Sequence, residues 1–134
     1  MADLEFSDSI DSKESLDDHH TSLAELVFAA EQRPSGEVLV RNRYLSLDPY
    51  MRSQLAGRHL SGAIQPGDLM RGETVAEVVT SKHPAFAAGA RVRGFGGWQE
   101  WAVLDGEALA PVPDRIQPPS LALSALGMPG LTAW

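Results

Sequence analysis

The chain has no cysteine, which excludes disulfides and thiolate metal sites and permits a reducing compartment. No apolar run approaches the roughly 20 residues needed to cross a bilayer. The first residues are acidic, where a secretory leader would be basic and then apolar. The expectation is a cytoplasmic protein with no membrane partner. Neither Gly-x-Gly-x-x-Gly nor Gly-x-Ser-x-Gly occurs, so no dinucleotide phosphate loop and no serine-hydrolase elbow is written in these residues. The four histidines, His19, His20, His59 and His83, have no carboxylate or thiol at ligand spacing, and no metal site is expected.

Bases are also few. Eleven Lys and Arg face eighteen Asp and Glu, for a net charge of −7. Residues 1–21 hold seven of those acids, Asp3, Glu5, Asp8, Asp11, Glu14, Asp17 and Asp18, against Lys13 alone. With few bulky apolar residues and no sustained period, this stretch reads as a disordered acidic tail. The remainder is close to neutral and has no basic stripe, so nucleic acid is not an expected partner. At 134 residues and 43% hydrophobic content, the chain suits one compact core.

What is present reads as short strands. Residues 23–30 fit neither period cleanly; of a short strand and a helical turn, the strand is favoured there. From Gly36, Val38, Val40, Asn42 and Tyr44 alternate with Leu39, Arg41, Arg43 and Leu45, the two-residue period of a strand. Asp48-Pro49 stops that ladder, because proline has no N–H to donate, and it sets out Tyr50 and Arg52 from a bend. Asp48 and Arg52 are placed to pair across it. Residues 53–66 read as a loop. Strand chemistry returns over residues 70–80, with a bend or bulge expected at Gly72. Arg91–Phe95 and Trp98–Leu104 read as two strands joined at Gly96-Gly97, with a short piece at Leu109–Val112. Strands without intervening helices indicate an all-β barrel or sandwich. After a run of prolines, Ser120–Gly127 reads as a short helix, with Ser120 as its N-cap and Gly127 as its stop.

Two stretches carry candidate chemistry. Gly94-Phe-Gly-Gly-Trp98 is either a plain turn or an aromatic wall with close backbone access to a ligand. Tyr50 is either a hydrogen-bonded residue at the core edge or a phenol that donates to a substrate carbonyl or ribose without ionising.

Three blocks in order, residues 36–52 (GEVLVRNRYLSLDPYMR), 94–100 (GFGGWQE) and 127–133 (GMPGLTA), resemble the zinc-independent medium-chain NADP-dependent reductases. Prostaglandin reductase, leukotriene B4 12-hydroxydehydrogenase and bacterial curcumin reductase typify that family. The likeness covers about residues 23–134.

The resemblance implies a mainly β fold, a GroES-like partly open β-barrel with a short C-terminal helix, spanning residues 22–126. Residues 127–134 would open the connection to a dinucleotide-binding domain. It implies a role as the substrate-side domain of an enzyme that reduces the C=C bond of α,β-unsaturated ketones or aldehydes with NADPH. By position, Tyr50 falls in the substrate and nicotinamide pocket as the catalytic candidate, Gly94 and Phe95 in a substrate-binding loop, and Met128 and Thr132 at the cofactor. Zinc-dependent relatives carry a cysteine ligand where this chain has Ser46-Leu47-Asp48-Pro49. Ala90 departs from the family's acidic Gly-Asp-x-Val turn. Because the family continues beyond the position of Trp134, the expectation is a truncated or split reductase. Such a chain is inactive alone and binds NADPH at most weakly. The alternative is a stand-alone barrel that binds a small apolar ligand or a partner protein without catalysis. A third reading has a separately encoded nucleotide-binding half complete it in trans.

Overall fold

A computed structural model describes Glu25, residues 35–60 and residues 62–134. The acidic stretch lies outside the described residues, as does the strand favoured over residues 23–30 except at Glu25, which is helical rather than extended. Five strands form one antiparallel sheet: β1 (Glu37–Leu45), β2 (Thr74–Ser81), β3 (Arg91–Gly94), β4 (Trp101–Asp105) and β5 (Ala110–Pro111). Their order across the sheet is β4-β1-β2-β3-β5. Among the described residues the sheet stays open, with β4 and β5 as its edges. The described residues are mainly β with few short helices, as expected.

β1 is an inner strand whose apolar first half, Val38-Leu39-Val40, is buried on both faces. It pairs with β4 from Glu37 to Arg41 and with β2 from Val38 to Leu45. The register shifts between Leu39 and Val40, where Val79 of β2 is the extra residue, and again between Asn42 and Tyr44, where Arg43 of β1 is; Gly72, where a bend or bulge is expected, lies just before β2. Val38 and Val40 pack with Ala76, Val78, Phe86, Val92, Ala102 and Leu109 in the main core. Successive strand residues face opposite ways. Val75 therefore leaves Ala76's face and joins a second cluster with Val112, Ala122 and Leu123.

Three expectations are corrected. Arg91–Phe95 and Trp98–Leu104 do not make a hairpin at Gly96-Gly97, since β1 and β2 lie between β3 and β4. Instead, the connection crosses the end of the sheet and bonds to the segment before β2, Gly97 N–H to Gly72 O at 3.1 Å and Trp98 N–H to Met70 O at 2.9 Å.

The loop read over residues 53–66 gives up its start to a helix, α1 (Tyr50–Leu55). Pro49, at φ −57° and ψ −30°, is already helical, so the proline that ends the ladder also starts the helix. Met51 and Gln54, three apart, are its buried residues. Gly57, at φ 69°, supplies the left-handed residue that stops it.

Ser120 does not cap an α-helix, and Gly127 does not end one. Residues Pro119–Leu123 form a 3-10 turn, and Gly127 is the N-cap of α2 (Met128–Ala133). With φ −114°, Gly127 lacks the left-handed geometry of a helix stop. It is packed so closely that a Cβ would sit 2.5 Å from the Ala122 carbonyl oxygen.

Candidate functional site

Where β1 leaves the sheet, Ser46 makes two bonds that set the bend. Its N–H donates to Glu73 O at 2.9 Å, and its hydroxyl donates to Asp48 Oδ1 at 2.9 Å. Asp48 is thereby held inward, 8% exposed, with its second carboxylate oxygen buried and unpartnered. Arg52 is exposed, and no ion pair joins it to Asp48 among the described residues. α1 then begins with Tyr50 beside this buried acid. Burial first, and the negative charges of Asp48 and Glu73 after it, push the Tyr50 phenol above its ordinary pKa of 10.0. At neutral pH the phenol is protonated and available as a hydrogen-bond donor.

Tyr50 opens on a cavity of about 640 Å³. Asp48, Gln54, His59, Arg71 and Glu73 supply its other polar groups, and Leu69, Phe95 and Met128 its apolar surface. This size and this mixture suit a small organic ligand. Gln54 reaches the cavity because it lies one helical turn after Tyr50 on α1. His59 leans on Tyr50, with ring centroids 5.7 Å apart and planes tilted by 40°. Glu73 is restrained from the other side by Arg93 Nε at 3.2 Å, and the same guanidinium donates to Ala122 O at 3.2 Å.

The Phe95 wall is fixed from below. Thr74, fully buried at the start of β2, donates its hydroxyl to Gly94 O and accepts Gly96 N–H, both at 3.2 Å. Asn42 of β1 donates to Gln99 O at 2.8 Å. A Cβ on Gly96 would collide with both Asn42 and Thr74, so glycine is required there by close approach. The loop is rigid at its base and sets Phe95 out, 69% exposed, against the cavity.

Tyr50, Phe95 and Met128 thus meet around one space. Gly94 does not join them. It is buried in β3, where a Cβ would lie 2.5 Å from a Leu109 methyl. Thr132 is also absent from the lining; it is exposed on α2 and its hydroxyl donates to Met128 O at 2.8 Å. Gln54, Leu69, Arg71 and Glu73 were not foreseen, and His59 was singled out only as a loop residue. Gln54 reaches the lining only through α1, which the sequence reading of 53–66 as a loop does not contain. Among the described residues, no group of three or more His, Asp or Glu could hold a metal ion. No helix among them is long and apolar enough to cross a membrane.

Comparison with known proteins gives the same grouping that the three sequence blocks indicate. NADPH-dependent curcumin reductase of Escherichia coli K12 is 44% identical over 100 residues, which cover 74% of this chain and 29% of that protein. Prostaglandin reductase 1 of Bos taurus is 45% identical over 103 residues, again 74% of this chain and 29% of that one. The crystal structure of CurA from Vibrio vulnificus in complex with NADPH superposes with a TM-score of 0.66 at 39% identity, over 75% of this chain and 30% of CurA. The chain therefore spans under a third of the length of these relatives. The family described as the N-terminal domain of oxidoreductase matches residues 16–112. A match over most of the chain, with a solved relative of similar fold, places this protein in the family of oxidoreductase N-terminal domains.

Proposed function

We propose that this chain is the substrate-side domain of an NADPH-dependent reductase that saturates the C=C bond of α,β-unsaturated ketones or aldehydes. The observation that carries this reading is the convergence of the Tyr50 phenol with Phe95 and Met128 on one half-open cavity. The residues fit one end of the cofactor only. The phenol, Phe95 and the Met128 thioether offer a mixed face for a flat nicotinamide ring, while the sequence has no glycine loop for the phosphates. When bound, the cofactor supplies the hydride. Tyr50, kept protonated by its surroundings, donates a hydrogen bond to the substrate carbonyl and draws electron density from the β-carbon. Leu69, Phe95 and Met128 exclude water from the enone.

The second wall of the cavity belongs, in this reading, to a nucleotide-binding domain. Leu126, Leu131 and Trp134, all exposed in or beside α2, the helix that carries Met128, offer apolar surface for that domain. The chain by itself then does not turn over, and a nucleotide-binding half supplied separately restores the site.

The test is a chimera in which residues 35–134 replace the matching segment of the E. coli curcumin reductase. Enone-dependent NADPH oxidation is expected, falling about 10²–10⁴-fold in Tyr50→Phe if the phenol carries the carbonyl. A folded chimera that binds NADPH yet reduces no enone overturns the proposal.

A further inference from the structure

The two histidines among the described residues differ in one respect that bears on reactive substrates. His83 is sealed. Its side chain is 11% exposed, its Nε2 is 3.0 Å from Glu107 Oε1, its Nδ1 accepts Ala85 N–H at 3.2 Å, and its ring lies over Gly106. His59 is partly exposed, lines the cavity, and is held at its wall by the ring of Tyr50. An enal is a Michael acceptor, and its usual protein target, a cysteine thiolate, does not occur in this chain. Capture then falls to nitrogen nucleophiles, of which an imidazole is one. Neither Lys82 nor His83 lines the cavity.

We propose that His59 is a covalent modification site for α,β-unsaturated aldehydes, alkylated from within the cavity. This rests on the reading that the cavity admits such compounds. The unprotonated ring nitrogen bonds to the β-carbon, the C=C electron pair shifts onto the carbonyl, and the α-carbon then takes up a proton. The ring gives up its N–H proton, so the sum is aldehyde plus protein, with nothing oxidised, nothing reduced and no leaving group. Holding the aldehyde beside the imidazole makes the addition intramolecular, which raises its rate over the free reaction. The adduct would fill the space in front of Tyr50, so a high enal concentration would close the site that consumes it.

The experiment treats the 134-residue chain with trans-2-hexenal, stabilises adducts with borohydride and locates them by peptide mass spectrometry. His59 is expected to gain the aldehyde at least about tenfold faster than N-acetylhistidine in the same tube. His83 should lag behind both. Hexan-2-one, which resembles the substrate but has no electrophilic carbon–carbon bond, should slow labelling of His59 and leave N-acetylhistidine unaffected. Labelling of His59 at the N-acetylhistidine rate, or labelling that the ketone does not slow, overturns the proposal. Protected labelling alongside an NADPH-binding chimera that reduces no enone would support the modification site and remove the reductase reading, so the two fail separately.

Discussion

Two ends of this sheet are built around the same kind of contact, a histidine ring tilted against an aromatic ring. His83 meets Phe86 at 5.4 Å and 32°, and His59 meets Tyr50 at 5.7 Å and 40°. Around the first pair everything is spoken for: Phe86 joins the main core and both nitrogens of His83 have partners. Around the second, a carboxylate oxygen of Asp48 is buried without one, and Phe95 and Met128 stand exposed. The contact geometry is therefore no guide to role. Saturation is the guide, because satisfied polar groups and covered apolar surface leave nothing for a ligand to improve.

The largest way to break the contrast is at the closed end. Phe86→Ala removes a ring that is 8% exposed and packed with seven other core residues, Val38 and Val92 among them. A loss of about 3–5 kcal/mol is expected from transfer and cavity terms together. Denaturant unfolding measures it. A loss below about 1 kcal/mol would mean that the closed end is not the structural one.

Next in size is the joint between the two ends. Thr74→Val keeps shape but removes the hydroxyl that accepts Gly96 N–H and donates to Gly94 O. The Gly96 N–H is then buried without the hydroxyl it bonds, a penalty of about 1–3 kcal/mol. Amide hydrogen exchange sharpens the reading, since Gly96 should exchange faster in the variant while the Val38–Val40 amides of β1 change only through the global stability. Uniform acceleration across the sheet would show that Thr74 does not specifically brace the Phe95 wall.

How far the sequence could be read follows the same division. β1 was legible because alternation and β-branching act locally, and the strands at 74–81 and 91–94 were legible for the same reason. The hairpin at Gly96-Gly97 misled because glycines show that a chain turns but not which strand it then pairs with; the bonds from Gly97 and Trp98 to the 70–72 segment decide that, and they are tertiary. α1 was hidden by its proline, which looks like a breaker and here serves as an initiator. The site divides likewise. Tyr50, Phe95 and Met128 came from motif likeness and meet in space, whereas Gly94 lies buried in β3 against Leu109 and outside the cavity lining. Arg71 and Glu73 sit on the approach to a strand with no pattern that marks them, and only the fold turns them toward Tyr50.

The smallest effect asks whether the open end is tuned electrostatically or only by burial. Tyr50 is raised above 10.0 by burial first, then by Asp48, then by Glu73, and Glu73 is also paired with Arg93 at 3.2 Å. Glu73→Gln removes the third cause and leaves the first two, so the phenol should titrate lower than in the parent yet still above its ordinary value. The chain has two tyrosines, and ¹³Cζ signals assigned with Tyr44→Phe follow each through its titration. The sign for stability follows. A phenol whose folded pKa exceeds its unfolded one keeps its stabilising contribution below about 10 and loses it as pH rises through the folded value. The alkaline decline attributable to Tyr50 should therefore be shallower in Glu73→Gln. An unmoved titration would show that Arg93 already cancels Glu73 at the phenol. That guanidinium, which also binds Ala122 O next to the α2 segment, would then be the group that sets the field at Tyr50.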